Sequence, residues 1–152
     1  MAIEAPYSKY RKQNLWIFVA ICIGLAIWCT YDGYYSESWI AEHTRPDGSP
    51  DAYLTFNRQA PPYLIAAAAV LFIFWVVVRN KKITAEENEL VLSAGEKIPY
   101  SSIQKIDKTN FDSKGFFIIG YKKDLVEVER KISNRSYDNL KPVLEHLVSK
   151  IS

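Results

Sequence analysis

The chain has only two histidines and two cysteines in 152 residues. Metal sites and nucleophilic catalysts draw heavily on these side chains. Both cysteines, Cys22 and Cys29, fall inside an apolar run, where small apolar helix-contact residues are the expected role. No phosphate-binding G-x-x-x-x-G-K-[ST] loop, G-x-S-x-G elbow, H-E-x-x-H pair or C-x-x-C motif occurs. Catalysis, a cofactor and a bound metal are therefore not expected. An internal disulfide is excluded as well: seven residues of helix separate the cysteines by about 10 Å of rise, beyond the roughly 7 Å that a disulfide spans between Cα atoms.

An excess of one charge is also missing. Nineteen Lys and Arg stand against 17 Asp and Glu, and residues 80–152 hold 13 against 11. A nucleic-acid partner, which needs a dense basic face, is not expected. Charge is absent altogether from Leu15 to Tyr31 and from Tyr63 to Val78. The mean hydropathy of -0.11 thus averages over two halves of opposite character. A membrane span takes roughly 17 to 25 residues. Both runs lie at the short end of that length and lengthen once Lys12 to Asn14 and the Pro61-Pro62 pair are recruited, proline being tolerated in a first helical turn. A soluble hairpin would leave too little protein to cover two helices apolar on every side. A cleaved signal peptide fits poorly, because the first run is long and ends without an A-x-A-like site. The sequence predicts transmembrane helices at 14–31 and 63–79, a preceding segment 1–13, a connecting loop 32–62 and a domain at 80–152.

Cations near span ends resist translocation. Lys9, Arg11 and Lys12 precede the first run, and Arg79, Lys81 and Lys82 follow the second. The loop holds only Arg45 and Arg58 against Asp32, Glu37, Glu42, Asp47 and Asp51. The expectation is an integral membrane protein with both termini cytoplasmic. Small residues permit close helix contact, which makes Cys22, Gly24, Ala26 and Cys29 in the first helix and Ala66, Ala67 and Ala69 in the second the helix-packing candidates. In the loop, Ser38 to His43 reads as a helical turn and Ala52 to Phe56 as a short strand. Its aromatics Trp39, Tyr53 and Phe56 are candidates for contact with a partner, and His43 reads as solvated.

From Ile83 the pattern changes to short alternating segments at Glu89–Ser93, Lys97–Tyr100, Ile103–Thr109, Phe116–Lys122 and Leu125–Ile132. These predict strands, the last two joined as a hairpin through Lys122-Lys123-Asp124. Within the last, Val126, Val128 and Ile132 face one way, and Arg130 breaks the pattern as a sheet-edge residue would. Tyr137, Leu140, Leu144, Leu147, Val148 and Ile151 then recur at helical spacing. A helix beginning near Asn139 accommodates Pro142 in its first turn and covers the sheet, which gives a small α+β domain.

The phrase Glu89-Leu-Val-Leu, the glycine turn, the run Ile98-Pro-Tyr-Ser-Ser-Ile-Gln-Lys-Ile-Asp107 and the closing helix resemble bacterial pleckstrin-homology-like (PH-like) domains fused to membrane spans. The resemblance covers about Ile83 to Ile151. It implies a bent, partly open sheet of seven strands capped by a helix, used as a binding scaffold. At about 70 residues the segment is short for that fold, so one or more strands are expected to be missing or reduced. Lys81, Lys82, Lys122 and Lys123 are the candidates for contact with lipid headgroups, at about 1 kcal/mol each. Two readings of function follow: an accessory subunit that packs against other membrane-protein subunits, or a self-standing signalling protein that reads lipid or recruits a partner.

Overall fold

The structure is a computed structural model describing all residues, Met1–Ser152. It divides into two compact units, Gln13–Val76 and the paired segments Met1–Lys12 and Val77–Ser152.

The first unit is helical. Helix α1 (Lys9–Thr30) runs on into a π-helical turn at Tyr31–Tyr35, followed by α2 (Glu37–Glu42) and α3 (Ala52–Val78). At 1.5 Å per residue α1 is about 33 Å long and α3 about 40 Å. The residues turned inward follow a 3–4 alternation. Leu15, Val19, Cys22, Ala26, Cys29 and Gly33 form the inner stripe from α1 through the π-helical turn, and Leu54, Pro61, Leu64, Ala68, Leu71 and Trp75 form that of α3. Such spacing belongs to helices crossing at about 20°. Rings interlock across the pair where Trp16 meets Trp75 at 5.2 Å and Phe72 at 5.9 Å between centroids.

Two loop expectations are corrected. Ala52 to Phe56 is the first part of α3 and not a strand. Asp51 overrides the β-preference of Tyr53 and Phe56, because its Oδ1 accepts the Leu54 N–H and its carbonyl accepts the Thr55 N–H, which starts the helix. The helix therefore begins at Ala52, well before Tyr63, and Pro61 and Pro62 lie inside it. The helical turn read at Ser38–His43 corresponds to α2.

The second unit holds seven strands, all pairing antiparallel. Strands β1 (Ile3–Pro6), β2 (Lys82–Ala85), β3 (Glu89–Val91) and β4 (Lys97–Pro99) form one sheet in that order. Strands β5 (Ile103–Asp107), β6 (Phe116–Lys123) and β7 (Val126–Ser133) form the other, with the short α4 (Phe111–Lys114) between β5 and β6. Residues 1–13 do not stand apart from the domain. Ile3 pairs with Ala85 and Pro6 with Lys82, and Ala5 is fully buried. An N-terminal strand thus completes a sheet that begins, in sequence, only after α3.

Helix α5 (Leu140–Ile151) closes the unit over Leu140, Val143, Leu144 and Leu147, all buried. These meet Ile83, Leu90, Ile98, Phe117 and Ile119 in one apolar core. Burying a side chain of this size contributes about 1.5–3 kcal/mol. Gly115, at φ 71°, ends α4 in the left-handed region. A Cβ there would lie 2.3 Å from the Asn134 side chain.

Candidate functional site

Three local structures bring chemistry-bearing or exposed side chains together. The first lies where the π-helical turn meets α3. Proline has no N–H, so Pro61 and Pro62 leave the Asn57 and Arg58 carbonyls without their helical donors. The Tyr34 hydroxyl donates to the Arg58 carbonyl at 3.4 Å, and Arg58 Nε donates in return to the Gly33 carbonyl at 2.9 Å. The Arg58 guanidinium also sits 5.6 Å from the centre of the Tyr34 ring. Gly33 permits this approach: a Cβ there would be 3.1 Å from the Asn57 carbonyl oxygen. A proline pair in one helix is thereby matched by a glycine and a tyrosine from the other.

The second is a clasp around the turn at Arg45–Ser49. His43 Nδ1 and Asp51 Oδ2 are 2.7 Å apart, and the Asp51 N–H donates to the His43 carbonyl at 2.9 Å. The Trp39 ring lies tilted against His43 at 4.1 Å between centroids, with Tyr53 at 5.5 Å. His43 is thus half-buried and paired, where the sequence suggested a solvated ring. The Leu54 N–H first, and His43 second, hold the Asp51 carboxyl below its usual value. Trp39 Nε1 is buried without a partner.

The third is an ion cluster on the sheets. Glu96, after the β3–β4 turn, accepts from Lys123 at 2.7 Å, from the Tyr121 hydroxyl at 3.1 Å and from Arg130 at 3.2 Å. The Lys123 bond is the main reason the Glu96 carboxyl titrates below its usual value. Arg130, the exception to the alternation of the last strand, is explained by this pairing, and β7 is the outermost strand of its sheet. At the other end of β4, the Tyr100 hydroxyl donates to the Glu86 carbonyl at 2.6 Å. Burial, with Glu86 and Glu89, pushes this phenol up to about 12.

The helix-packing candidates divide. Ala26 and Cys29 are buried and Cys22 is half-buried, whereas Gly24 faces outward with nothing within 4 Å of a would-be Cβ. In α3 the residue packed inward is Ala68, while Ala66, Ala67 and Ala69 are exposed. The 3–4 stripe predicts this choice, and residue size alone does not. Tyr53 and Phe56 are exposed, and Trp39 is half-covered by its own neighbours. Lys82 pairs with Glu4 and Lys123 with Glu96, which leaves Lys81 and Lys122 as the lysines of the two pairs without a side-chain partner. Gly33, Arg58 and Glu96 were not singled out from sequence, because each acts through a contact distant along the chain.

Apolar grooves accompany these features. Two on the helices, about 350 to 360 Å³ each, are lined by Ile23, Ala26, Ile27, Tyr31, Tyr35 and Ile65, and by Phe56, Ala60, Tyr63 and Leu64. Both α1 with its π-helical extension and α3 are long and apolar enough to cross a membrane. No group of three or more His, Cys, Asp or Glu side chains is placed to hold a metal ion. No family model, curated protein or solved structure matches this chain.

Proposed function

We propose that the protein is a two-span integral membrane protein with both termini cytoplasmic, acting as a non-catalytic accessory subunit of a larger membrane complex. The observation that carries the reading is the outer surface of the helical unit. Ile17, Phe18, Ile21, Ile73, Phe74 and Val77 are all exposed, so both helices present apolar side chains away from each other. Water is a poor solvent for such a surface and hydrocarbon a good one. Because Met1–Lys12 and Val77–Ser152 share one compact unit, a chain that enters a bilayer through α1 returns to the same side through α3. The flanking cations favour the cytoplasm for that side.

The subunit role is supported by the apolar groove beside Ala26 and Ile65 and by Tyr35, Tyr53 and Phe56, which the chain leaves bare. Grooves lined by small and aromatic residues suit the side chains of a neighbouring helix. For the cytoplasmic unit, seven antiparallel strands closed by a C-terminal helix support the PH-like reading. The N-terminal strand supplies the element that the C-terminal segment alone lacks. Extraction of tagged protein from its native membrane in mild detergent, with sizing and mass spectrometry, tests the role. Membrane proteins recovered at fixed ratio are the expected result. A lone chain or homo-oligomer would instead favour a self-standing protein that reads lipid or recruits a soluble partner.

A further inference from the structure

The β6–β7 hairpin turns through Asp124 and Leu125, both in the left-handed region at φ 50° and 67°. Two consecutive positive φ values define the tight hairpin turn that asparagine and glycine favour. Elsewhere in the chain positive φ falls only on residues of those two types, at Gly48, Gly95, Gly115 and Asn139. Here the second position is a leucine, a side chain that resists this backbone, and it is 96% exposed. Val126 beside it is 63% exposed. Neither side chain contributes to the core, so folding alone does not account for them. A conformational outlier of this kind points to a use outside the fold.

The register locates the tip. Pro6 and Lys82 face each other, and Thr84 faces Val91. Antiparallel pairing therefore puts the β3–β4 turn at the Pro6 and Lys82 end of its sheet. Pro6 precedes α1 in sequence and Lys82 follows α3. Glu96, on that turn, holds Lys123 at 2.7 Å and Arg130 at 3.2 Å. The hairpin is thus tied to the end of the unit where the chain leaves for both long helices.

We infer that Leu125 and Val126 form an apolar wedge that enters the bilayer spanned by α1 and α3, and so fixes the orientation of the cytoplasmic unit on the lipid surface. The inference rests on the membrane reading above. Two side chains are too small a patch for a stable protein interface, which takes about 800 Å² per partner. They suffice for a domain already tethered at high effective concentration. Lys122 and Lys123 are offset by Asp124 and Glu127 around the tip, so insertion is driven by apolar burial and does not depend on anionic lipid.

Site-directed spin labelling of the full chain in nanodiscs tests this, with Cys22 and Cys29 replaced by alanine and a single label at Leu125→Cys or, independently, Val126→Cys. Val70→Cys in α3 reports on the span, and Ser113→Cys reports on exposed protein surface. The expected result is a ratio of oxygen to nickel ethylenediaminediacetate accessibility at positions 125 and 126 resembling that at position 70, equally in phosphatidylcholine and phosphatidylglycerol bilayers. A ratio resembling that at position 113, with position 70 still in lipid, overturns the wedge and leaves the membrane reading standing. An immobilised label shielded from both reagents replaces the wedge with a protein contact. A lipid signal confined to phosphatidylglycerol overturns the apolar mechanism in favour of headgroup electrostatics. Water access at position 70 removes the membrane reading and the wedge with it.

Discussion

At the scale of single residues, two glycines in the helical unit have opposite surroundings. A methyl group on Gly33 would press on the Asn57 carbonyl at 3.1 Å and on Arg58 Cγ at 3.2 Å, whereas one on Gly24 would meet nothing. Gly33→Ala is therefore expected to lower stability by about 1–3 kcal/mol through overpacking, since the nearest neighbour, the Asn57 carbonyl, is backbone and cannot rotate away. Gly24→Ala should be neutral or stabilising by up to about 1 kcal/mol through helix propensity. Thermal unfolding of both variants in the same detergent checks the contrast. Equal melting temperatures would remove Gly33 from the joint between the helices. Glu96 invites a pH experiment. Its folded carboxyl titrates below the ordinary value, with the Lys123 bond as the leading cause. Stability from these contacts is therefore fully present above the unfolded pKa, about 4.3, and is lost as pH falls through the lower folded value. Glu96→Gln should melt below wild type at pH 7, and the gap should narrow between about pH 5 and 3. A constant gap would mean that Glu96 contributes through packing alone.

At the scale of elements, the inner stripe of each long helix consists of positions three and four apart, and a prediction follows from its narrowness. Ala26 is 5% exposed and Ala68 likewise 5%, while Ala67 is open. Ala26→Leu should force the helices apart and lower the melting temperature in detergent, by about 1–3 kcal/mol of stability. Ala67→Leu, directed outward, should change it little. If both behave alike, the 3–4 stripe is not the contact. The same stripe shows what could be read from sequence and what could not. Hydropathy separates a buried from an exposed face only when the faces differ in polarity, and in α1 and α3 they do not. The presence of two apolar helices was legible, but Val19 and Ala68 as contacts were not. In the C-terminal segment the faces do differ, and five of its six strands, β3 to β7, and α5 emerged near their observed limits, while β2 did not. Ala52 to Phe56 misled because the aromatics favour strands, while the deciding group, the Asp51 carboxylate, capped a helix whose extent was hidden by Pro61 and Pro62. Those prolines are accommodated because Tyr34, two dozen residues from Arg58, donates to the Arg58 carbonyl that Pro62 releases, while Gly33 leaves room beside the Asn57 carbonyl.

At the scale of the whole molecule, the consequential contact joins the two ends of the chain. Strand β1 was invisible to local pattern, because four residues carry no usable periodicity and their partner lies beyond both long helices. Yet Ala5 is fully buried against the core, the Tyr7 N–H donates to the Lys81 carbonyl at 2.8 Å, and the Ser8 N–H donates to the Ser136 carbonyl at 2.8 Å. A variant beginning at Lys9 should lose the outer strand of its sheet, expose the edge of β2 and become sensitive to protease within Val77–Ser152 while α1 and α3 remain. The same closure constrains topology more tightly than flanking charge does. If β1 and β2 pair in the native membrane, no arrangement can leave the N-terminus and the C-terminal unit on opposite sides. Single cysteines at Ile3 and Ala85, directly paired in the sheet, test this in the full chain with Cys22 and Cys29 replaced. Oxidation should cross-link them in intact membranes, and an impermeant maleimide applied from outside should label Ser49→Cys in the turn between α2 and α3 but not Ser113→Cys. Labelling of positions 49 and 113 together, or failure of the cross-link with both ends protected, would mean that the strand pairing does not form around a membrane-spanning hairpin.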